Sequence, residues 1–215
     1  MKTTTLFFSL ALAAAAAQAA PSTASLAGWN AYGDVVSQSG AIVLTTAYLD
    51  GGPDQPFNLS GQSAVDIATL EGAAGVAPYA LDLSTDEYGT EGSLVQQSFA
   101  VTAGQTLTFS WSFTTQETQF EDRAFVVVDG QVLTLATRSA PGGAGQSFSW
   151  TFDHGGSATL ALGVIDTVDY LGVSQLSVQG IEVSAVPEPA SVLMLAAGLA
   201  GVGAARRRRQ RAGGV

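Results

Sequence analysis

The chain of 215 residues contains no cysteine. Disulfide staples, thiolate nucleophiles and cysteine metal sites are therefore excluded, and any folded part must rest on a packed core, supplemented at most by bound ions. Lysine is absent after Lys2, and His154 is the only histidine, so a multi-histidine metal centre is excluded as well. Charge is scarce, at 12% of residues against 47% apolar, and the net charge is −10. Every acidic residue except Glu188 lies between Pro21 and Val186, where the basic residues are Arg123 and Arg138. Such a lysine-free, acidic middle repels phosphates and has no cations with which to displace counterions, which argues against nucleic-acid binding.

The remaining basic residues sit at the two ends, and both ends read as addresses. Residues 1–20 combine Lys2, an apolar stretch from Leu6 to Ala17 and a small-x-small site at Ala17-Gln18-Ala19, the anatomy of a secretory signal peptide. Residues 186–215 fall into three parts. Val186-Pro187-Glu188-Pro189 is an extended polar hinge, because each proline disfavours helix at the residue before it. Residues 190–205 are an uncharged, mostly apolar run, and residues 206–211 hold the cluster Arg206, Arg207, Arg208, Arg209 and Arg211. At a rise of about 1.5 Å per residue the run spans about 24 Å, just short of a ~30 Å hydrocarbon core, and snorkelling arginines make up the difference. The expected orientation keeps the arginines in the cytoplasm and the middle outside.

Pro-Glu-Pro, a short apolar helix and an arginine cluster, in that order, resemble the sorting tail of the PEP-CTERM family. The resemblance implies export through the Sec machinery, cleavage by signal peptidase and transient anchoring in the inner membrane. An exosortase-type membrane protease would then process the chain near Pro187, Glu188 and Pro189, with Arg206 to Arg209 as the cytoplasmic retention signal. It further implies a Gram-negative cell that makes exopolysaccharide and a final place at the cell surface or in the extracellular matrix. The alternative for residues 190–205 is a permanent single-pass anchor; Gly198, Gly201 and Gly203 weaken that helix.

Residues 21–185 are expected to form one all-β domain, an antiparallel β-sandwich. The dominant period is two. Leu107, Phe109, Trp111 and Phe113 alternate with Thr and Ser; so do Phe148, Trp150 and Phe152, then Leu160, Leu162 and Val164, and Val95, Phe99 and Val101 share a phase. Further strands are expected over Ala41–Tyr48, Ala124–Val128, Gln131–Thr137 and Val173–Val183. Asp129-Gly130 predicts a type I′ hairpin and Gly180 a bulge. Period-two aromatics are core residues, so Trp111 and Trp150 are assigned there. No amphipathic helix of ten residues is evident.

The segments QSFAVTAGQTLTFSW, AFVVVDG and LGVSQLSVQGIEV, between Gln97 and Val183, resemble jelly-roll domains of the carbohydrate-binding, galactose-binding-like type. GWNAYGDV, LTTAYLDGG and FNLSG, within Gly28–Asp66, are similar to segments of secreted PEP-CTERM proteins.

The chemistry on offer is modest. His154 lies in the turn-type sequence Asp153-His154-Gly155-Gly156, with no nucleophile-elbow serine, and is expected as an exposed turn residue. The adjacent carboxylates Asp86/Glu87 and Glu121/Asp122 are expected as solvated loop charge. Calcium fits better, since it takes six to eight oxygens from loops. Asp50 and Asp54 flank a tight turn and are the candidate ligands, with Asp82, Asp86, Glu87, Asp166 and Asp169 as further carboxylates; the jelly-roll resemblance implies such an ion too. For glycan contact the candidates are Tyr32, Tyr48, Tyr79, Tyr88 and Tyr170, each near a Gly/Asp-rich turn. The expected function is a non-enzymatic surface or matrix protein associated with exopolysaccharide. The alternatives are a module for one defined glycan and a secreted glycoside hydrolase.

Overall fold

The computed structural model describes residues 25–143, 145–184 and 197–200. The signal peptide, Pro187 to Pro189 and Arg206 to Arg209 lie outside the described residues, and of the apolar run only 197–200 fall within them, as helix. Among the described residues no helix is long and apolar enough to cross a membrane.

In chain order the strands are β1 (Asn30–Tyr32), β2 (Asp34–Gln38), β3 (Ala41–Thr45), β4 (Val65–Asp66), β5 (Gly89–Val101), β6 (Thr106–Thr115), β7 (Arg123–Val128), β8 (Gln131–Thr137), β9 (Gln146–Thr151), β10 (Gly156–Thr167) and β11 (Ser174–Val183). A 3₁₀ turn spans Gln55–Phe57, and the helix α1 spans Ile67–Ala74. One sheet runs β1-β5-β10-β7-β8, with β4 also paired to β5; the other runs β2-β3-β11-β6-β9. All pairings are antiparallel. From β5 onward every connection except the β7–β8 hairpin crosses between the sheets, and the two sheets close over a common interior.

Period-two alternation builds that interior. Leu107, Phe109, Trp111 and Phe113 of β6 meet Leu160, Leu162 and Val164 of β10, Val126 and Val128 of β7, and Leu176 and Val178 of β11. Phe109 stacks on Phe148 with ring centroids 4.7 Å apart. Trp111 is buried, and Trp150 is half-buried against the same cluster.

A second core explains why β7 reads as an unbroken apolar run. The α1 helix and the segment after it cover the outer face of the first sheet, where Leu70 and Leu81 pack on Leu94, Phe125, Val127, Ala161 and Ile165. A strand buried on both faces loses its alternation. The α1 helix starts at Asp66, whose carboxylate accepts from the Thr69 N–H at 3.0 Å, and ends at Gly75 in the left-handed region. At eight residues it is too short for a helical period to stand out in the sequence.

Two local predictions match the geometry. Asp129 (φ 50°) and Gly130 (φ 79°) both have positive φ, as a type I′ turn requires. The β11–β6 register shifts between Gln179 and Glu182, around Gly180. The strand expected over Ala41–Tyr48 stops at Thr45, where the chain leaves the sheet to form the 46–64 loop. One expectation is corrected: Asp122 is not solvated loop charge. It has no exposed surface, because β7 enters the sheet at the next residue and carries Asp122 into the interior.

Candidate functional site

Strand β5 begins where β10 ends, so the first residues of one and the last of the other share one end of the sandwich. The 46–64 loop, the start of α1 and the 168–173 loop close around that end. Between them lies a cavity of about 610 Å³, lined by Tyr48, Asp50, Pro53, Asp54, Ala64, Val65, Asp66, Thr90, Glu91, Tyr170 and Leu171. Tyr170 is 61% exposed and Tyr48 41%, so each offers ring surface at the rim.

The loops are held by their own polar groups. Asp34 is fully buried and accepts from the Ser60 N–H at 2.6 Å, from the Leu59 N–H at 2.9 and 3.0 Å through its two oxygens, and from the Thr45 hydroxyl. This fixes the far limb of the 46–64 loop. Thr90 Oγ1 lies 3.0 Å from the Asp166 carbonyl and 2.8 Å from the Asp169 carbonyl, tying the 168–173 loop to β5. Gly92 lets β5 and β10 approach here: a Cβ at this position would sit 2.1 Å from the Val164 carbonyl oxygen.

The cavity is acidic. Glu91 is 5% exposed and its Oε1 has no partner. Burial, then the charges of Asp54 and Asp50, push its pKa up to about 7. Burial also raises Asp54, against a hydrogen bond from the Gly172 backbone, with Asp50 and Asp169 adding repulsion. Asp66 goes the other way: hydrogen bonds from the Thr69 side chain and backbone hold it below the usual carboxylate range. Asp50 Oδ1 accepts from the Gly52 N–H at 2.7 Å, closing its own turn.

Behind the cavity, inside the sandwich, lies a second acidic group. Glu117, Asp122 and Asp166 are all buried and bring one carboxylate oxygen each within 4.8 Å of the others. Asp122 accepts from the Thr167 N–H at 3.1 Å and from the Ser174 hydroxyl at 2.7 Å. Glu117 Oε1 accepts from the N–H groups of Thr118, Gln119 and Phe120. Burial, together with the charge of Asp122, raises Asp166 far above the usual range, and burial raises Asp122.

Of the residues singled out in the sequence, Asp50, Asp54, Tyr48 and Tyr170 come together at the cavity. Tyr88 stands beside it, its hydroxyl 3.4 Å from the Val168 carbonyl. Tyr32 packs half-buried on the second core, and Tyr79 is exposed in the segment after α1. His154 lies before β10, at the end opposite the cavity. It is exposed, with Nε2 3.0 Å from Asp129 Oδ2, and that hydrogen bond raises its pKa. Asp86 is exposed, whereas Glu121 takes a 2.7 Å ion pair with Arg138.

Glu91 and Glu117 acquire their roles only in the fold, and Asp166, a further carboxylate for calcium in the sequence, is brought into a cluster there. The signal that could have found two of the buried carboxylates is the strand period carried one step further. Asp166 follows Leu160, Leu162 and Val164 in phase, and Asp122 precedes Ala124, Val126 and Val128.

Residues 185–209 match the family model described as the PEP-CTERM protein-sorting motif. The chain thus carries the motif of exported proteins that are held at the membrane and processed by an exosortase, a membrane protease. No curated protein sequence matches the chain. Among solved structures, one described as "CBM4 structure and function" aligns over 77% of this chain and 94% of its own, at 11% identity and a TM-score of 0.35. The secreted serine protease VesC from Vibrio cholerae aligns over 57% and 28%, at 13% identity and 0.28. The enzymatically active domain of tailspike protein 4 from bacteriophage CBA120 aligns over 74% and 20%, at 10% identity and 0.30. Likenesses this distant assign neither fold nor ligand.

Proposed function

We propose that this is a non-enzymatic surface or matrix protein whose jelly-roll sandwich binds polysaccharide at the cavity between the 46–64 and 168–173 loops. The jelly-roll reading is supported by strand order: β3-β11-β6-β9 faces β5-β10-β7-β8, and from β5 onward every connection except the β7–β8 hairpin crosses between the sheets. The observation that carries the binding reading is the cavity itself. A sugar ring has apolar C–H faces and a rim of hydroxyl donors. Tyr48 and Tyr170 supply ring surface for the faces, and Asp50, Asp54 and Glu91 supply acceptors for the hydroxyls. An acidic cavity disfavours polyuronates, so the ligand is a neutral or amino sugar chain. The matched sorting motif, as a motif of exported proteins, supports a ligand outside the cell such as exopolysaccharide.

The test is binding of the purified protein to soluble glucan, galactan, chitosan and alginate by calorimetry. Neutral or amino polymers should bind and alginate should not, and Y170A should weaken binding about tenfold, equivalent to about 1.4 kcal/mol. Binding to none of these polymers, or undiminished binding by both Y170A and Y48A, rejects the reading.

A second reading rests on Glu91. A carboxylic acid titrating near 7 beside a second carboxyl group is the arrangement a glycosidase uses for its general acid. Release of reducing ends from the same polymers, abolished in E91Q, would favour it over pure binding.

A further inference from the structure

At the cavity end of the sandwich the interior changes from apolar to acidic. Arg123 of β7 pairs with Ile165 of β10, so the next step in register sets Asp122 opposite Asp166, two like charges across neighbouring strands. Glu117, from the β6–β7 connection, adds a third carboxylate. We propose that Glu117, Asp122 and Asp166 hold one divalent cation of calcium size.

Asp166 is 1% exposed, and its Oδ1, like Glu91 Oε1 at the cavity, has no hydrogen-bond partner, where buried polar atoms ordinarily find one. Among the described residues no basic side chain serves the cluster. Arg138 is committed to Glu121 and to the Phe120 carbonyl, and Arg123, one residue out of phase with Asp122, feels the charge of Asp82. The donor set is oxygen only, which selects a hard cation over zinc or copper. Three carboxylates leave room for main-chain carbonyls and water, the mixed shell that calcium accepts and that magnesium, with its strict octahedron, tolerates poorly. The surroundings are already fixed: Glu117 is pinned by three N–H groups, and Gly172 (φ 84°) approaches so closely that a Cβ there would lie 2.9 Å from Glu117 Cα. The site differs from the Asp50–Asp54 turn, whose carboxylates face the cavity. It also does not depend on what the cavity binds.

The competing state is a proton shared between Asp122 and Asp166, and the experiment separates the two. The full-length chain in detergent, stripped with EDTA, is titrated with CaCl2 and separately with MgCl2, with tryptophan-monitored melting and calorimetry as readouts. One calcium per chain is expected. At a hundredfold excess over Kd, Tm should rise by about 5–10 °C, with a smaller rise in magnesium. D166N and E117Q should each abolish the rise, and in EDTA D166N should melt no lower than the wild type, because its amide can donate to Asp122 in place of the shared proton. Absence of any calcium response in the wild type overturns the proposal. So does a response that survives in E117Q, or one that D54N removes while E117Q keeps it. Should D166N fail to fold, E117Q alone decides.

Discussion

Glu91 shows how one residue turns burial into a pH response. Its carboxyl is raised from 4.5 to about 7, so the folded chain holds the proton more tightly than the unfolded chain does. The stabilising share of this group is complete below about pH 4.5 and is withdrawn as pH rises through about 7. Glutamine keeps the shape and never ionises. E91Q is therefore expected to melt within a degree or so of the wild type at pH 4.5 and a few degrees above it at pH 8. Two melting curves per protein check this. Equal Tm differences at the two pH values would show that Glu91 ionises freely in the folded state.

At the scale of elements, the loops around the cavity depend on a few strand residues that reach out to hold them. Asp34, the first residue of β2, is the main one. Its carboxylate binds the backbone of Leu59 and Ser60 and the Thr45 hydroxyl while fully buried. Hydrogen bonds to a charged group contribute about 1.5–3 kcal/mol, and D34A also leaves the Leu59 and Ser60 N–H groups without an acceptor. D34A should lower Tm by about 5–12 °C and raise amide exchange across residues 47–63 well before it does so in β6 or β11. Uniform exchange would mean that the loop and the sandwich open as one unit.

The elements also show what a sequence of this kind reveals and what it conceals. Strands β6 and β9 stand out because one face is more buried than the other, which imposes the two-residue period. The Asp129-Gly130 turn stands out because few residues accept positive φ. By contrast, β1, β2 and β4 are short edge elements whose identity comes from pairing with β5 and β3, not from their own pattern. The site was legible only as separate pieces. Tyr48, Asp50, Asp54 and Tyr170 sit in recognisable turns, but their convergence depends on β5 lying beside β10. Glu91 falls in Thr90-Glu91-Gly92-Ser93, a polar stretch that reads as loop and is strand only because Gly92 admits β10. Asp122 reads as loop charge, and Asp166 as one further carboxylate for calcium among several, until the register places them face to face.

For the whole molecule, the sandwich and the sorting motif are separate devices. The last strand ends at Val183, and the Ser184 N–H closes the sheet by donating to the Thr106 carbonyl at 2.9 Å. The matched motif begins at the next residue. No pairing of the described sandwich therefore requires residues 186–215, and removing them should leave folding intact while changing delivery. A chain truncated after Ala185 is expected to melt within about 2 °C of the processed wild type, since surface changes away from packed groups cost little. In the cell it should cross the inner membrane but be released there without the exosortase-dependent change in size. Replacing Arg206 to Arg209 by serine should weaken retention of the tail in the cytoplasm and slow processing without altering the melt. Immunoblots of cell, periplasmic and extracellular fractions, with and without the exosortase, read both outcomes. If the truncated chain matured and reached the surface like the intact one, the sorting role of the motif in this protein would be refuted. If it instead failed to fold, the separation of sandwich from motif would be wrong.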